Sequence, residues 1–192
     1  MKLLVFAGSA RAQSYNRQLA KAAADLARAA GASVTLLELG ALDIPLYNAD
    51  LEAQGTPPDV RKLKEIMDAH PAWIICSPEY NGSYTGLLKN TLDWASSPIK
   101  KDVYWNDSSK PFAGKVVGLL SASPGALGGL RSLSHLSPLL LNLQCWVCPQ
   151  QFALGHAGNA FTEQGQLKDA AQQGNLAKVV DQVLWAARRL SS

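Results

Sequence analysis

Lys2-Leu3-Leu4-Val5-Phe6-Ala7, running into Gly8-Ser9-Ala10-Arg11-Ala12-Gln13, is the stretch on which the fold turns. Its apolar half reads as a buried β-strand and its polar half as a loop. From Ser14 to Ala30 the apolar positions Leu19, Ala23, Leu26, Ala27 and Ala30 fall on one helical face, and Gly31 supplies the expected C-terminal stop. A second strand follows from Ser33 to Leu39. Strand, loop, helix and strand in this order make a βαβ unit. Met1-Lys2 and the apolar residues after it imitate a secretion signal, but the run is too short for one, where roughly 7 to 15 apolar residues are needed.

The same alternation continues along the chain. After an irregular segment, Asp43-Ile44-Pro45-Leu46-Tyr47-Asn48, a helix is predicted from about Pro58 to Ala69, with Pro57-Pro58 suited to its first turn. Within the third strand, Ala72 to Cys76, the run Trp73-Ile74-Ile75-Cys76 is apolar without alternation, as a central strand covered on both faces requires. The loop Ser77 to Gly82 leads into a helix through Leu87, Leu88, Thr91, Leu92 and Ala95. A fourth strand is expected from Lys115 to Leu120. Its loop, Ser121 to Gly125, opens a helix that runs to about Leu143 and that Pro138 must kink or split. A fifth strand near Gln144 to Cys148 and a closing helix with the stripe Leu176, Val179, Val180, Val183, Leu184, Ala187 and Leu190 complete the pattern. It specifies an α/β fold around a parallel sheet.

Composition bounds the function. A chain of 192 residues, 47% hydrophobic and 17% charged, suits one globular domain, 1-192, with one active site. The net charge of +3 comes from 18 basic and 15 acidic residues with no basic cluster interleaved with aromatics, so no nucleic-acid partner is expected. No apolar run approaches the roughly 18 residues of a membrane span, so no membrane partner is expected either. Three cysteines, an odd number, argue against a disulfide framework and for the cytoplasm.

In an open parallel sheet, ligands bind beyond the carboxyl ends of the strands, where successive crossovers leave on opposite sides. That directs attention to three loops. The first gathers Gly8, Ser9, Arg11, Ser14 and Asn16 at a helix start, where free N–H groups, hydroxyls and a guanidinium suit a phosphate dianion. Plain helix capping by Ser14 or Asn16 is the alternative, although it leaves Arg11 unexplained. Neither G-x-G-x-x-G nor G-x-x-x-x-G-K-[ST] is present. The second loop, Ser77-Pro78-Glu79-Tyr80-Asn81-Gly82, can offer backbone groups and one aromatic to a flat heterocycle, but Asn81-Gly82 alone is also an ordinary turn. The third, Ser121 to Gly125 with Gly128-Gly129, permits close backbone approach and gains weight only from sharing the sheet edge with the other two.

These residues resemble the NAD(P)H-dependent FMN reductases of the flavodoxin-like superfamily, which include soluble quinone, azo-dye and chromate reductases. The resemblance lies in Gly8 to Ala20, Asp43 to Glu52, Ser77 to Asn81 continuing through Leu87 to Trp94, and more faintly Ser121 to Gly125 with Gly128 to Arg131. It implies a flavodoxin-like doubly wound five-stranded parallel sheet, order 2-1-3-4-5, with helices on both faces. It implies that Ser9, Arg11, Ser14 and Asn16, with Tyr15 beside them, form the FMN phosphate site. By the same resemblance Pro78, Glu79, Tyr80 and Asn81 wrap the isoalloxazine, and Ser123 lies near the flavin. Hydride would pass from NADPH or NADH to flavin N5 and on to an acceptor stacked on the same ring face, in a ping-pong cycle with no catalytic side chain. Quinones, azo compounds and metal oxyanions are the acceptors implied. Ser77, where relatives often have Thr, and Ser83-Tyr84-Thr85, in place of a segment often ending in Pro, depart from the family near the substrate pocket. Relatives are homodimers or homotetramers; here the exposed helix 83–95 with Trp94, and the loop at Tyr104-Trp105, are the candidate contacts.

Other signals carry less. Cys145-Trp146-Val147-Cys148 has redox spacing, but thiols three apart on a strand point to opposite faces, and buried apolar cysteines are expected. His70, His135 and His156 lack metal-type spacing, and no metal site is expected; Glu79 and Asp93 read as loop-fixing carboxylates. Trp94 and Trp185 read as core or interface anchors. Two alternatives share the fold: a flavodoxin-type electron carrier, disfavoured by the +3 balance and Arg11, and a non-catalytic phosphate-ligand sensor.

Overall fold

The structure, a computed structural model, describes residues 1–190; Ser191 and Ser192, included in the domain expectation, lie outside the described residues. Six parallel strands form the sheet: β1 Lys2–Ala7, β2 Ser33–Leu37, β3 Ala72–Cys76, β4 Val116–Ala122, β5 Trp146–Val147 and β6 Phe152–Leu154. Their order is β2-β1-β3-β4-β5, with β6 also on β4. Among the described residues six α-helices accompany them: α1 Tyr15–Ala29, α2 Ala49–Gln54, α3 Pro58–Asp68, α4 Gly86–Ser96, α5 Leu130–Asn142 and α6 Ala170–Leu190.

Strand period two explains the layering, because successive side chains point to opposite faces. Leu3, Val5, Ile74 and Leu120 pack on one face against Leu19 and Ala23 of α1 and Val179 and Val183 of α6. Leu4, Phe6, Trp73, Ile75 and Leu119 pack on the other against α3, α4 and α5 through Leu63, Leu92 and Leu136. The sheet is therefore doubly wound. Val5 lies opposite Leu36 on one side and Ile74 on the other, so the crossovers diverge between β1 and β3. That is the switch point at which this architecture opens a crevice.

The fifth sheet position departs from expectation. Instead of one strand near 144–148, β5 pairs with Val116-Val117 and β6 with Leu120 to Ala122. Pro149 lies in the gap between them, with no N–H to give to a ladder. The helix after β4 begins only at Leu130, because Gly128 and Gly129 adopt φ of 63° and 89°, outside the helical region. Pro138 does not split α5, which remains one helix. Strand β2 ends at Leu37, and Leu39–Ala41 is a single 3-10 turn. Six-residue α2 was not anticipated; Asn48 caps it by accepting from the Asp50 N–H, but it is too short to show a period.

Candidate functional site

The loops after β1, β3 and β4 meet at the carboxyl edge of the sheet. Gly8 extends the β1–β3 ladder by one bond, its N–H donating to the Cys76 carbonyl at 2.9 Å. Thr85 caps α4, its hydroxyl oxygen accepting from the Leu88 N–H at 3.2 Å while donating to the Gly8 carbonyl at 2.7 Å. A Cβ on Gly8 would lie 3.0 Å from the Leu88 Cβ, so a side chain here would crowd the first loop against the start of α4.

That loop closes when the Ser14 N–H donates to the Arg11 carbonyl at 3.1 Å. Ser14 occupies the N-cap of α1 with extended backbone, yet its hydroxyl makes no capping bond. Asn16 does not cap either, because its carboxamide oxygen and an amide N–H are engaged by Ala122 of β4. The alternative of ordinary capping is therefore not realised. The N–H groups of Tyr15, Asn16 and Arg17 are left free by the first helical turn. Ser9 and Ser14 are buried, 7% and 3% exposed, and their hydroxyls bond to no described residue. Among the described residues no fully buried polar side-chain atom lacks a partner, so these two oxygens reach open space. Arg11 is exposed, its guanidinium 5.3 Å from the centroid of the Tyr15 ring. Arg17 braces the turn from below: Nη1 donates to the Arg11 carbonyl at 3.2 Å, and Nε pairs with Glu38 at 2.9 Å.

In the second loop Pro78 is buried behind Ser77, whose N–H donates to the Leu120 carbonyl at 2.9 Å. Tyr80 and Ser83 exchange two backbone bonds of 2.9 and 3.1 Å around Asn81 and Gly82, both at positive φ, 51° and 81°. This is the two-residue hairpin that such a dipeptide favours. It leaves the Tyr80 ring 58% exposed above the strand ends. Glu79 reaches the start of α5, accepting from the Arg131 N–H at 3.2 Å and Nε at 2.7 Å and pairing with Nη2. Asp93 pairs with Lys89 one turn away.

In the third loop, the Ser123 N–H donates to the Leu154 carbonyl and its carbonyl accepts from the Ala157 N–H, both at 3.0 Å. The Ser123 hydroxyl accepts from the Gly125 N–H at 3.3 Å. A cavity of about 250 Å³ lies between Glu79 and Arg131 on one side and Ser123 to Gly129 on the other. A second cavity, about 290 Å³, is lined by Ala22, Leu26 and Ala29 of α1 with Leu176 of α6, in the half of α1 remote from the three loops.

The nominated residues thus share one edge: Ser9, Arg11, Ser14, Tyr15 and Asn16 from the first loop, Pro78 to Asn81 from the second, Ser123 from the third. Arg17, Thr85, Arg131 and the segment 154–157 support them and were not foreseen. Thr85 ahead of Leu87-Leu88 is a legible N-cap signal. The partners of Arg131 and Ser123 are too distant in sequence for any local pattern to reveal.

Trp94 is corrected as a candidate subunit contact. It is fully buried, donates Nε1–H to the Pro45 carbonyl at 2.8 Å, and meets the Tyr47 ring edge-on at 5.0 Å. Trp105 is buried too, leaving Tyr104 as the exposed residue of that pair. Cys145 and Cys148 are free, buried, and packed in opposite faces of the core. Burial pushes their thiols up to about 12 and about 11, and raises Cys76 well above its ordinary value. Such thiols are poor nucleophiles. His70 lies just beyond α3, its ring nitrogens bonded to the Ile66 carbonyl and the Thr35 hydroxyl. Among the described residues no three His, Cys, Asp or Glu side chains form a metal-binding group, and no helix is long and apolar enough to cross a membrane.

The fold agrees with the comparisons to known proteins. Residues 1–159 match the NADPH-dependent FMN reductase family, and the chain belongs to it. It is an oxidoreductase of flavodoxin-like fold that uses FMN and a nicotinamide co-substrate. The chain is 37% identical over 170 residues to an NAD(P)H-dependent FMN reductase of Pseudomonas aeruginosa, covering 88% of this chain and 85% of that protein. It is 34% identical over 149 residues to a quinone reductase of Escherichia coli K12, covering 77% and 73%. Among solved structures it resembles FerB, an NAD(P)H:(acceptor) oxidoreductase of Paracoccus denitrificans, at a TM-score of 0.78 with 30% identity, covering 96% and 98%. A short-chain flavodoxin at 13% identity and a TM-score of 0.60 shares the fold alone.

Proposed function

We propose that the first loop holds the FMN phosphate, that the second and third border the flavin ring, and that the protein reduces quinones or similar electrophiles with NADPH or NADH. The observation that carries this reading is the donor set of the first loop. Two otherwise buried hydroxyls, Ser9 and Ser14, reach open space without a protein partner beside three free N–H groups and the exposed Arg11. A phosphate dianion satisfies such a set, and the partial positive charge of a helix start favours it.

Held by these residues, FMN would supply the redox chemistry, a hydride relay between nicotinamide and acceptor in a ping-pong cycle. The chain's own work is positional. Arg17 fixes the turn by donating to the Arg11 carbonyl. The Asn81-Gly82 hairpin presents Tyr80 and the backbone of Glu79 to the ring, and the Glu79–Arg131 pair keeps that hairpin beside the third loop. No side chain is assigned a proton transfer. Azo compounds and metal oxyanions fit the same open acceptor face. We assign the protein to the cytoplasm, which keeps its three free thiols reduced, and to a homodimer or homotetramer.

Titration of apoprotein with FMN, followed by quenching of flavin fluorescence, tests the phosphate site. Ser9→Ala with Ser14→Ala is expected to raise Kd about 10- to 100-fold, since each hydroxyl makes a charge-assisted bond. An unchanged Kd would refute the assignment. The loaded protein should be yellow and should oxidise NADPH only when a quinone is supplied or oxygen is admitted.

A further inference from the structure

We propose that Asn16 is a positioning residue: its carboxamide stands in for a peptide group of β3 and splices the cofactor turn onto β4. The inference rests on the FMN reading of this edge and gives Asn16 a different task from direct phosphate contact.

In a parallel sheet, alternate residues of a strand turn their N–H and C=O to opposite neighbours. On β4 the even positions face β3. The Val116 N–H donates to the Pro71 carbonyl at 3.0 Å, and the Leu120 carbonyl accepts from the Ser77 N–H at 2.9 Å. The odd positions face the other edge, where the Val117 carbonyl accepts from the Cys148 N–H and the Ser123 N–H donates to the Leu154 carbonyl. Ala122, two residues beyond Leu120, turns to the β3 side again. By then the β3 chain has left the ladder through Ser77-Pro78.

Ala122 is 4% exposed, so its two backbone groups would be orphaned there. Asn16 meets both. Its Nδ2 donates to the Ala122 carbonyl at 2.8 Å and its Oδ1 accepts from the Ala122 N–H at 3.0 Å, with the side chain itself buried. A carboxamide carries the donor and acceptor of a peptide group on one plane, which an ionised Asp or a Ser does not reproduce. With its oxygen and one N–H spent on β4, Asn16 offers an FMN phosphate its backbone N–H. The splice joins the second residue of α1 to the residue before Ser123, across 106 positions of sequence. One side chain thereby sets the spacing of the first and third loops.

Two readouts test this, one of them independent of FMN. In the apoprotein, amide exchange at Ala122 should be slow in the wild type and about tenfold or more faster in Asn16→Ala. In FMN titration, Asn16→Ala should raise Kd about tenfold. Because that variant removes a buried bond pair, Asn16→Asp supplies a second arm. Burial at this position, 3% exposed in the wild type, opposes ionisation of the new carboxyl; protonated, it again offers a donor to the Ala122 carbonyl, so its Kd relative to wild type at the same pH should be closer to one at about pH 5 than at about pH 8.

Slow Ala122 exchange in Asn16→Ala would overturn the splice, whether FMN binding is kept or lost; loss with slow exchange would make Asn16 a direct ligand. A pH-independent ratio for Asn16→Asp would overturn it as well. Failure of the wild type to bind FMN would instead refute the cofactor reading, while the exchange measurement would still decide the role of Asn16.

Discussion

A methyl group on Gly128 would lie 2.7 Å from backbone atoms of Ala153, Leu154 and Gly155, and the residue holds φ at +63°. Neither the backbone around it nor its own dihedral can yield cheaply. Gly128→Ala is therefore expected to cost about 2 kcal/mol or more in unfolding free energy by urea denaturation. A loss below about 0.5 kcal/mol would show that the third loop moves freely. At this scale the sequence marks which residue types gather, but not what each does. Ser14 and Asn16 both read as phosphate ligands or caps, and the structure leaves the Ser14 hydroxyl free while committing the Asn16 amide to a strand 106 residues away. Asn81-Gly82 is the opposite case, since a dipeptide that tolerates positive φ carries its own turn.

Among the elements, α4 shows how a buried charge can be tolerated. Lys64, on α3 and 0% exposed, donates Nζ to the carbonyls of Ala95 and Ser97, both at 2.6 Å, closing the C-terminal end of α4. Burial pushes its ammonium down from 10.5 to about 8. Between about pH 8 and pH 10.5 the unfolded chain therefore holds a proton that the folded chain has released, so this group adds stability as pH rises through that window. Lys64→Met removes the titration. The difference in unfolding free energy between wild type and Lys64→Met should shift towards the wild type from pH 8 to pH 10.5, and a constant difference would contradict it. The apolar stripe of α3 is legible from its period; the lysine within it is not, because only α4's arrival supplies the carbonyls that hold it.

For the molecule as a whole, the three buried thiols act the other way. Their folded values are raised, with Cys148 at about 11 and Cys145 at about 12, against an ordinary 9.0. Their contribution is complete below pH 9.0 and is lost as the unfolded thiols ionise and the pH climbs towards 11. Three thiols outweigh the two lysines that burial lowers, Lys64 and Lys115, so thermal unfolding should shift to lower temperature between pH 9.0 and about 11. Cys148→Ala should flatten that decline. An unchanged slope would place the Cys148 thiol in water.

The division of information follows from range. Strand runs such as Trp73 to Cys76, the helical face of Leu19, Ala23 and Leu26, and the stop at Gly31 depend on neighbours within one or two turns, so the sequence by itself determined the α/β alternation and the three loops. Where β5 breaks, which side of the sheet buries Trp94, and how Asn16, Glu79 and Ser123 spend their hydrogen bonds depend on partners tens of residues away. Only the folded sheet brings those partners within 3 Å or so of one another, because a buried donor or acceptor must find its complement in space rather than along the chain.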